Sequence, residues 1–303
     1  MDIIGKKNYY FGLSLIVVVP GLIALILWGL NLSIDFTGGS RLTLAFRDEV
    51  GENTVQAVRK SLEAQKIEVS SIEKSNNLIF VRTEPLDQNQ NNKFLSSLSK
   101  DFSADQKEFE TIGPIIGKET TLNAVKAVVI ASILIVLYIT WSFRHVPKPA
   151  SSIRFGVCAI AALIHDVLVV VGIFAILGHF FGVEIDSLFV TALLTIIGFS
   201  VHDTIVVFDR IRENLRKMSG LTFSQVVNES IIETLARSLN TSLTVVLVLV
   251  GLLFFGGESI RWFVVALMIG IISGTYSSIF NASPLLVLWQ ELSNKKKEIR
   301  NKI

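Results

Sequence analysis

Two His-Asp pairs lie inside stretches of the chain that are otherwise apolar. The first is His165 with Asp166, and the second is His202 with Asp203, in the stretch GFSVHDTIVVFDRIREN. Ionisable side chains at membrane depth are costly, so they usually face other protein groups and take part in function. Arg237 adds a third charge at the start of a later apolar run. These five residues are the candidates for chemistry.

Asp203 and Arg237 could form an ion pair that responds to a proton. Asp203 lies about 8 Å inside the end of its run and Arg237 just before the next, so antiparallel helices would place them at similar depth. Burial opposes the charged carboxylate and a guanidinium favours it, so a small rearrangement could add or remove the proton. The alternative is a static buried pair that fixes helix register.

Asp166 lies about 16 Å into its run, near mid-membrane. It is either a second proton-coupling group or a carboxylate satisfied by hydroxyl or backbone groups of a neighbouring helix. The His-Asp pairs do not predict a metal site, because adjacent helical residues point about 100° apart and no HExxH motif is present. The chain lacks a GxxxxGK[ST] loop and a nucleophile elbow. It is therefore not expected to be an enzyme or to need a cofactor.

The elements that position these residues are membrane helices. Half of the 303 residues are hydrophobic, and the mean hydropathy is +0.56. Apolar runs of about 18 residues or more can span a bilayer. Six occur: Phe11–Leu30, Ala124–Phe143, Phe155–Leu177, Leu188–Phe208, Leu239–Phe255 and Trp262–Phe280. The sequence predicts a polytopic α-helical membrane protein, with a kink or helix end at Pro284 and close packing at Gly270 and Gly274.

Basic residues set the expected orientation. Lys and Arg precede run 1, lie between runs 2 and 3, and follow runs 4 and 6. The positive-inside rule then places both termini in the cytoplasm and residues 32–122 outside. The net charge of +2 suggests no nucleic-acid partner. The single cysteine, Cys158, falls in the third run, so the outer domain is expected to fold without a disulfide.

The region from about residue 34 to residue 118 has the pattern of a small soluble domain. SRLTLAF alternates apolar and polar residues as a strand does, and ENTVQAVRKSLEAQ has helical spacing. KIEVSSI and NNLIFVR are two short strands, NNKFLSSLSKDF is a second helix, and KEFETIG is a last strand. The order β-α-β-β-α-β predicts a ferredoxin-like α+β domain.

These patterns divide the chain into four parts. Residues 1–31 hold the N-terminus and helix 1, residues 32–122 form the outer domain, and residues 123–290 hold helices 2–6. Residues 291–303 form a basic tail. Within the third part, residues 210–236 have apolar side chains at helical spacing, which predicts an amphipathic helix on the inner membrane surface or a docking face for a partner.

Five stretches also resemble, in chain order, the motifs of a known family. They are LSIDFTGGSRL (32–42), IGPIIGKE (112–119), IHDVLVVVG (164–172), GFSVHDTIVVFDRIREN (198–214) and TLARSLNTSLT (234–244). They are similar to motifs of the SecF members of the SecD/SecF protein-export family, in the RND superfamily. The matching motif residues include Asp35, Gly38, Gly39, Gly198, Asp209 and Arg210. The resemblance implies an RND-type half with six membrane helices and one outer domain.

The resemblance implies a function in protein export. Together with SecD, expected as a separate chain, such a subunit uses the proton motive force to promote export of preproteins through SecYEG after SecA-driven translocation. The expected location is the bacterial plasma (inner) membrane. The family's proton pathway carries over to Asp203 and Arg237, with Asp166 as a further candidate. An essential Asp of SecD would complete the relay.

Two residues depart from the family's pattern. His202 stands where Asn is common, and Phe199 where Tyr is usual. Because His titrates near neutral pH, His202 could modulate Asp203 or join the relay, or it could act as a neutral equivalent of Asn. Two other functions stay open: a proton-coupled exporter of lipids or small molecules, and a scaffold for membrane-protein assembly, for which Asp203 would be dispensable.

Overall fold

The computed structural model describes residues 1–98, 104–144, 146–147, 151–218 and 220–302. The helices are α1 (Lys7–Trp28), α2 (Ile34–Thr37), α3 (Glu52–Ala64), α4 (Gln88–Leu98), α5 (Pro114–Ser142), α6 (Ser152–Phe181), α7 (Ser187–Lys217), α8 (Phe223–Phe255), α9 (Arg261–Ser277) and α10 (Ser283–Lys302). The strands are β1 (Gly39–Phe46), β2 (Val69–Ser75), β3 (Leu78–Thr83) and β4 (Ala104–Ile112). Short 3-10 turns cover Ile4–Lys6 and Glu258–Ile260, and a π-helix covers Ser278–Ala282.

Six stretches of the described chain are long and apolar enough to cross a membrane. Five are dominated by α1, α5, α6, α7 and α8, and the sixth runs over Arg261–Lys295. The predicted polytopic helical architecture is confirmed. In the sixth span, α9 widens into the π-helix before α10 begins. Proline lacks an N–H and clashes with the carbonyl four residues earlier, so the wider turn ahead of Pro284 accommodates it without ending the helix.

Glycines allow two pairs of helices to approach closely. A Cβ added at Gly172 of α6 would lie 2.6 Å from the Cα of Gly21 in α1, so these two backbones touch. Between α9 and α7, a Cβ at Gly270 would lie 2.3 Å from Ile196, and one at Gly274 would lie 3.0 Å from Ser200. The predicted close packing at Gly270 and Gly274 is therefore confirmed, and it brings α9 directly against the centre of α7.

The segment 210–236 does not form a separate surface helix, contrary to the prediction. Its first part ends α7, and its second part begins α8, which starts with a capping box between Thr222 and Gln225. The apolar face of its second part is buried in the bundle: Val226 is 2% exposed, and Val227 and Ile231 are fully buried, whereas Leu221 in the turn is 46% exposed. Because its apolar stripe packs on protein, the segment extends the bundle beyond the membrane helices.

The N-terminal residues are held against the start of α8. The side-chain oxygen of Asn228 accepts hydrogen bonds from the backbone N–H groups of Ile3 (2.8 Å) and Ile4 (3.3 Å). Its amide nitrogen donates to the carbonyl of Met1 (3.0 Å). Ile3 is fully buried and Ile4 is 3% exposed, so both are packed into the bundle core.

The outer domain has the predicted β-α-β-β-α-β order. Its sheet has the strand order β2-β3-β1-β4, and each neighbouring pair is antiparallel, which is the ferredoxin-like arrangement. β1 is a central strand, with Leu42 and Leu44 fully buried. They pack in one core with Val58 and Leu62 of α3 and Phe94 of α4. The helices therefore cover one face of the sheet.

The two connections that leave this sheet touch each other through glycine. Gly38 has φ +74°, and a Cβ there would lie 2.8 Å from the Cα of Pro114. A Cβ at Gly117 would lie 2.8 Å from the backbone N of Gly38 and 2.9 Å from the carbonyl of Phe36. The Thr121 hydroxyl also donates to the Phe36 carbonyl at 3.3 Å. We call this contact, between residues 36–38 and 114–121, the glycine joint.

Contacts divide the chain into two compact units. One comprises residues 1–31 and 126–303, and the other residues 32–125. The second boundary falls inside α5, so the first turns of this helix belong to the unit that contains the sheet. The glycine joint lies wholly within that unit.

Candidate functional site

Asp166 is enclosed by hydroxyl groups in the middle of the bundle. Its side chain is fully buried. Ser200 of α7 donates to Oδ2 at 2.6 Å, Ser277 of α9 donates to Oδ2 at 2.7 Å, and Ser273 of α9 donates to Oδ1 at 2.7 Å. His165 Nδ1 lies 3.0 Å from Oδ1. Both oxygens act as acceptors, so α6, α7 and α9 meet around one well-satisfied carboxyl group, which is the arrangement expected of a carboxylate held by neighbouring hydroxyls.

Asp203 is also buried, but it has fewer hydrogen-bond partners. It is 2% exposed, and it accepts a hydrogen bond from the Thr275 hydroxyl of α9 at the longer distance of 3.2 Å, with the Ser242 hydroxyl of α8 as a second hydrogen-bonding neighbour. Thr275 Oγ1 in turn lies 2.5 Å from Ser242 Oγ of α8. A buried carboxyl group that accepts few hydrogen bonds is costly in free energy, because it has lost its bonds to water without replacing all of them. The hydroxyl groups around Asp203 therefore satisfy its carboxyl oxygens less fully than those around Asp166 do.

The structure does not bring Arg237 to Asp203. No ion pair joins them among the described residues, and the Arg237 side chain is exposed. The reason is the angle around α8. Ser242 faces Asp203, and five positions along a helix turn a side chain by about 140°. Arg237 also lies about 7.5 Å nearer the N-terminal end of α8 than Ser242. The predicted ion pair is absent from this conformation.

The two histidines have different surroundings. His165 is 14% exposed and contacts Asp166, and its Nε2 is buried without a hydrogen-bond partner among the described residues. His202 is exposed on the side of α7 that points away from the bundle interior. Although His202 precedes Asp203 in sequence, the two side chains project to different sides of the helix.

Polar contacts also join the C-terminal part of α7 to the N-terminal part of α8. Arg210 contacts Glu213 on its own helix and Glu233 on α8, each at 2.5 Å. Asn214, which is 1% exposed, donates to Ser230 at 3.0 Å and to Glu233 at 2.8 Å. The motif residue Arg210 therefore has a structural position near the turn that joins α7 to α8.

The remaining motif residues lie apart from the two carboxylates. Asp209 pairs with Arg212 at 2.5 Å. Gly198 is exposed, with open space where a Cβ would stand. Asp35 lies in the first turn of α2, and Gly39 has φ +124° with Thr83 backbone 2.7 Å from its missing Cβ. The Gly-Gly motif thus serves the start of β1 and the glycine joint.

Sequence reasoning missed the hydroxyl groups that line the site: Ser200, Ser242, Ser273, Thr275 and Ser277. One signal was available, since Ser273 and Ser277 are four residues apart and so share one face of a helix in an apolar run. In the described part of the chain no group of three or more His, Cys, Asp or Glu residues could hold a metal ion.

Six membrane-crossing stretches, one ferredoxin-like domain after the first of them, and carboxylates inside the bundle define a polytopic membrane protein of the transport type. Comparison of the sequence with known protein families identifies the family within this class. The family model described as protein export membrane protein SecD/SecF, C-terminal, matches residues 92–292, and the SecD/SecF GG motif matches residues 29–50.

Individual relatives agree with the family models. The chain is 47% identical to protein translocase subunit SecF of Thermobaculum terrenum, over 96% of this chain and 94% of the relative. It is 35% identical to protein translocase subunit SecDF of Bacillus subtilis, over 97% of this chain and 39% of the relative. The crystal structure of SecDF from Thermus thermophilus superposes with a TM-score of 0.83 at 36% identity, covering 96% of this chain and 39% of that one.

The chain belongs to the SecF branch of the SecD/SecF family of protein-export membrane proteins. It is a multi-pass, SecF-like subunit of the protein translocase, and SecDF relatives that continue well beyond the matched region support a SecD partner.

Proposed function

We propose that this subunit uses the proton motive force to promote preprotein export, and that Asp203 carries the coupling proton. The observation that carries the proposal is the contrast between two buried carboxyl groups. Asp166 accepts three hydroxyl hydrogen bonds of 2.6–2.7 Å, whereas Asp203 has two hydroxyl neighbours, Thr275 at 3.2 Å and Ser242. A proton that crosses 100 mV releases about 2.3 kcal/mol, which is enough to change the partners of one poorly satisfied carboxyl group.

Arg237 is the proposed partner of Asp203 at another stage of the cycle. The present conformation has Arg237 exposed near the cytoplasmic end of the membrane span, where a long side chain can reach the interface. Rotation of α8 or extension of the side chain would bring the guanidinium toward an ionised Asp203. In this scheme Asp166 is a second coupling group, held in place by its hydroxyls, and His202 acts as a modulator.

The exposed side of α7 and α8 is the proposed contact for SecD. His202, Arg237 and Asn240 are exposed there, although polar side chains at membrane depth rarely face lipid. A partner membrane subunit would cover them, and an acidic group on it would pair with the basic ones. The SecDF relatives carry a longer chain than this one, which supports a SecD half as the occupant.

The wider assembly follows from this role. SecYEG provides the channel, SecA drives the first stage of translocation, and preproteins are the exported proteins. The bacterial plasma membrane is the proposed location, with both termini cytoplasmic and residues 32–122 outside. The distribution of Lys and Arg between the loops supports that orientation. No covalent chemistry, cofactor or nucleic acid is part of the proposal.

The test is Asp203→Asn in inverted membrane vesicles that contain SecYEG, SecA and SecD. Translocation of a preprotein is followed with and without an imposed proton gradient. The gradient-dependent part should disappear while the variant still assembles with SecD. Glu229→Gln removes an exposed carboxylate from the cytoplasmic end of α8 and serves as the control. Unchanged gradient-dependent export by Asp203→Asn would refute the coupling role.

A further inference from the structure

Helix α9 contacts both buried carboxyl groups, on two different sides. Ser273 and Ser277, one turn apart, donate to Asp166. Thr275, midway between them, donates to Asp203. Successive helical residues turn by about 100°, so Thr275 points about 200° away from Ser273. The two carboxyl groups therefore lie on opposite flanks of a single helix, and that helix is part of the environment of each.

The Thr275 hydroxyl has one proton and several neighbouring acceptors. Oγ1 lies 3.2 Å from Asp203 Oδ2, 2.9 Å from the Ile271 carbonyl of its own helix, and 2.5 Å from Ser242 Oγ. One hydroxyl can donate to one acceptor at a time. An ionised Asp203 takes this donor. When Asp203 is protonated it can donate a hydrogen bond itself. The Thr275 hydroxyl then donates its hydrogen bond to the Ile271 carbonyl instead.

The contacts of α9 leave it able to respond to such a change. It packs closely on α7 at Gly270 and Gly274. Its end passes into the π-helix, whose Ser278 donates to the Ser200 carbonyl at 3.2 Å. A π-turn holds one extra residue and is often found at functional sites. The π-helix therefore gives the chain room to rearrange locally between α9 and α10.

The titratable groups near the middle of the bundle can be named by helix. On α6 they are His165 and Asp166, and on α7 Asp203 faces inward while His202 faces outward. On α8 the inward residue at this level is Ser242. On α9 itself, Tyr276 turns toward α1 and donates to the Tyr10 carbonyl at 2.8 Å.

We infer that α9 couples the two carboxyl groups, with Thr275 as the positioning residue for Asp203 and with Ser273 and Ser277 passing the change to Asp166. The inference rests on the proposed function of Asp203 and adds the route by which its proton is sensed elsewhere. Thr275 touches Asp203 but does not carry the proton.

The experiment compares Thr275→Val, which keeps the shape and removes the hydroxyl, with Thr275→Ser, which keeps the hydroxyl. The carboxyl C=O infrared band of Asp166, assigned by its loss in Asp166→Asn, is titrated in membranes of the otherwise unmodified protein. The titration is repeated with Asp203→Asn added. In proteins with Thr or Ser at position 275, Asp203→Asn should change the proton concentration at which Asp166 is half-titrated by about fivefold or more, which is the lower end of usual coupling between sites. In Thr275→Val, adding Asp203→Asn should leave the Asp166 titration unchanged.

Export in the same vesicles separates the inference from the proposal on which it rests. Thr275→Ser should retain gradient-driven export, and Thr275→Val should lose most of it. Thr244→Val is the control, because Thr244 is exposed and its hydroxyl donates to the Thr241 carbonyl within its own helix. If Asp166 titrates identically with and without Asp203, or does not titrate, the coupling through α9 is refuted even where Asp203→Asn abolishes export. If Asp203→Asn leaves export unchanged, the proposed function itself is wrong.

Discussion

Replacing Gly117 by Ala tests the glycine joint. The added methyl would lie 2.8 Å from the Gly38 nitrogen and 2.9 Å from the Phe36 oxygen, and both are backbone atoms that no side-chain rotation can move. Restoring ordinary contact requires a shift of about 0.6 Å, and overpacking of this kind costs about 1–3 kcal/mol. The gain in helix propensity returns up to about 1 kcal/mol. The net loss of stability should be about 1–2 kcal/mol.

Hydrogen exchange in the intact protein measures this loss locally. Amides around Gly38 and the start of β1 should exchange about 5–30 times faster in Gly117→Ala, the factor that corresponds to 1–2 kcal/mol. Gly113→Ala is the matched control, since nothing lies within 4 Å of the position its methyl would take. Equal exchange in the two variants would show that residues 36–38 and 114–121 are not in backbone contact, and the reasoning about the joint would be wrong.

Two further predictions concern the bundle. Gly172→Ala should lower the thermal midpoint of the detergent-solubilised protein, because its methyl would meet the backbone of Gly21. The control Gly12→Ala has open space around the added methyl and should leave the midpoint unchanged or raise it. Equal midpoints in the two variants would contradict the close α1–α6 contact. Asn228→Ala should remove three hydrogen bonds to residues 1–4, so limited proteolysis should cleave that segment several-fold faster. An unaltered cleavage rate would show that the Asn228 contacts do not hold the segment.

The fold followed from the sequence wherever apolar periodicity was strong. The six membrane spans and the order of the outer domain were both predicted. The extension of α7 was missed, because the apolar run ends before Arg210 while the helix continues to Lys217. Charged residues sustain that extension by pairing along one face, as Arg210 with Glu213 and Lys217 with Glu213 do. Hydropathy does not report such pairs.

The site was predicted only in part, for a geometric reason. Asp166 and Asp203 are detectable because carboxylates are rare in membrane helices. The estimated depths pair Asp203 with Arg237, but in the structure Arg237 lies about 7.5 Å along α8 from Ser242 and points to another side of the helix. The hydroxyl partners were not predicted because a hydroxyl in a membrane helix commonly bonds to its own backbone, as Thr195 does. The sequence does not distinguish Thr195 from Thr275.

The boundary inside α5 has a mechanical consequence. The sheet and the first turns of this helix form one unit, tied by the glycine joint, while the rest of the helix lies in the membrane with only 6% of its apolar stretch buried against this chain. Because α5 is one continuous helix, a tilt of about 10° over a membrane span of about 30 Å would displace its end by about 5 Å. If one proton crossing 100 mV did work over that distance, the mean force at the helix end would be about 30 pN.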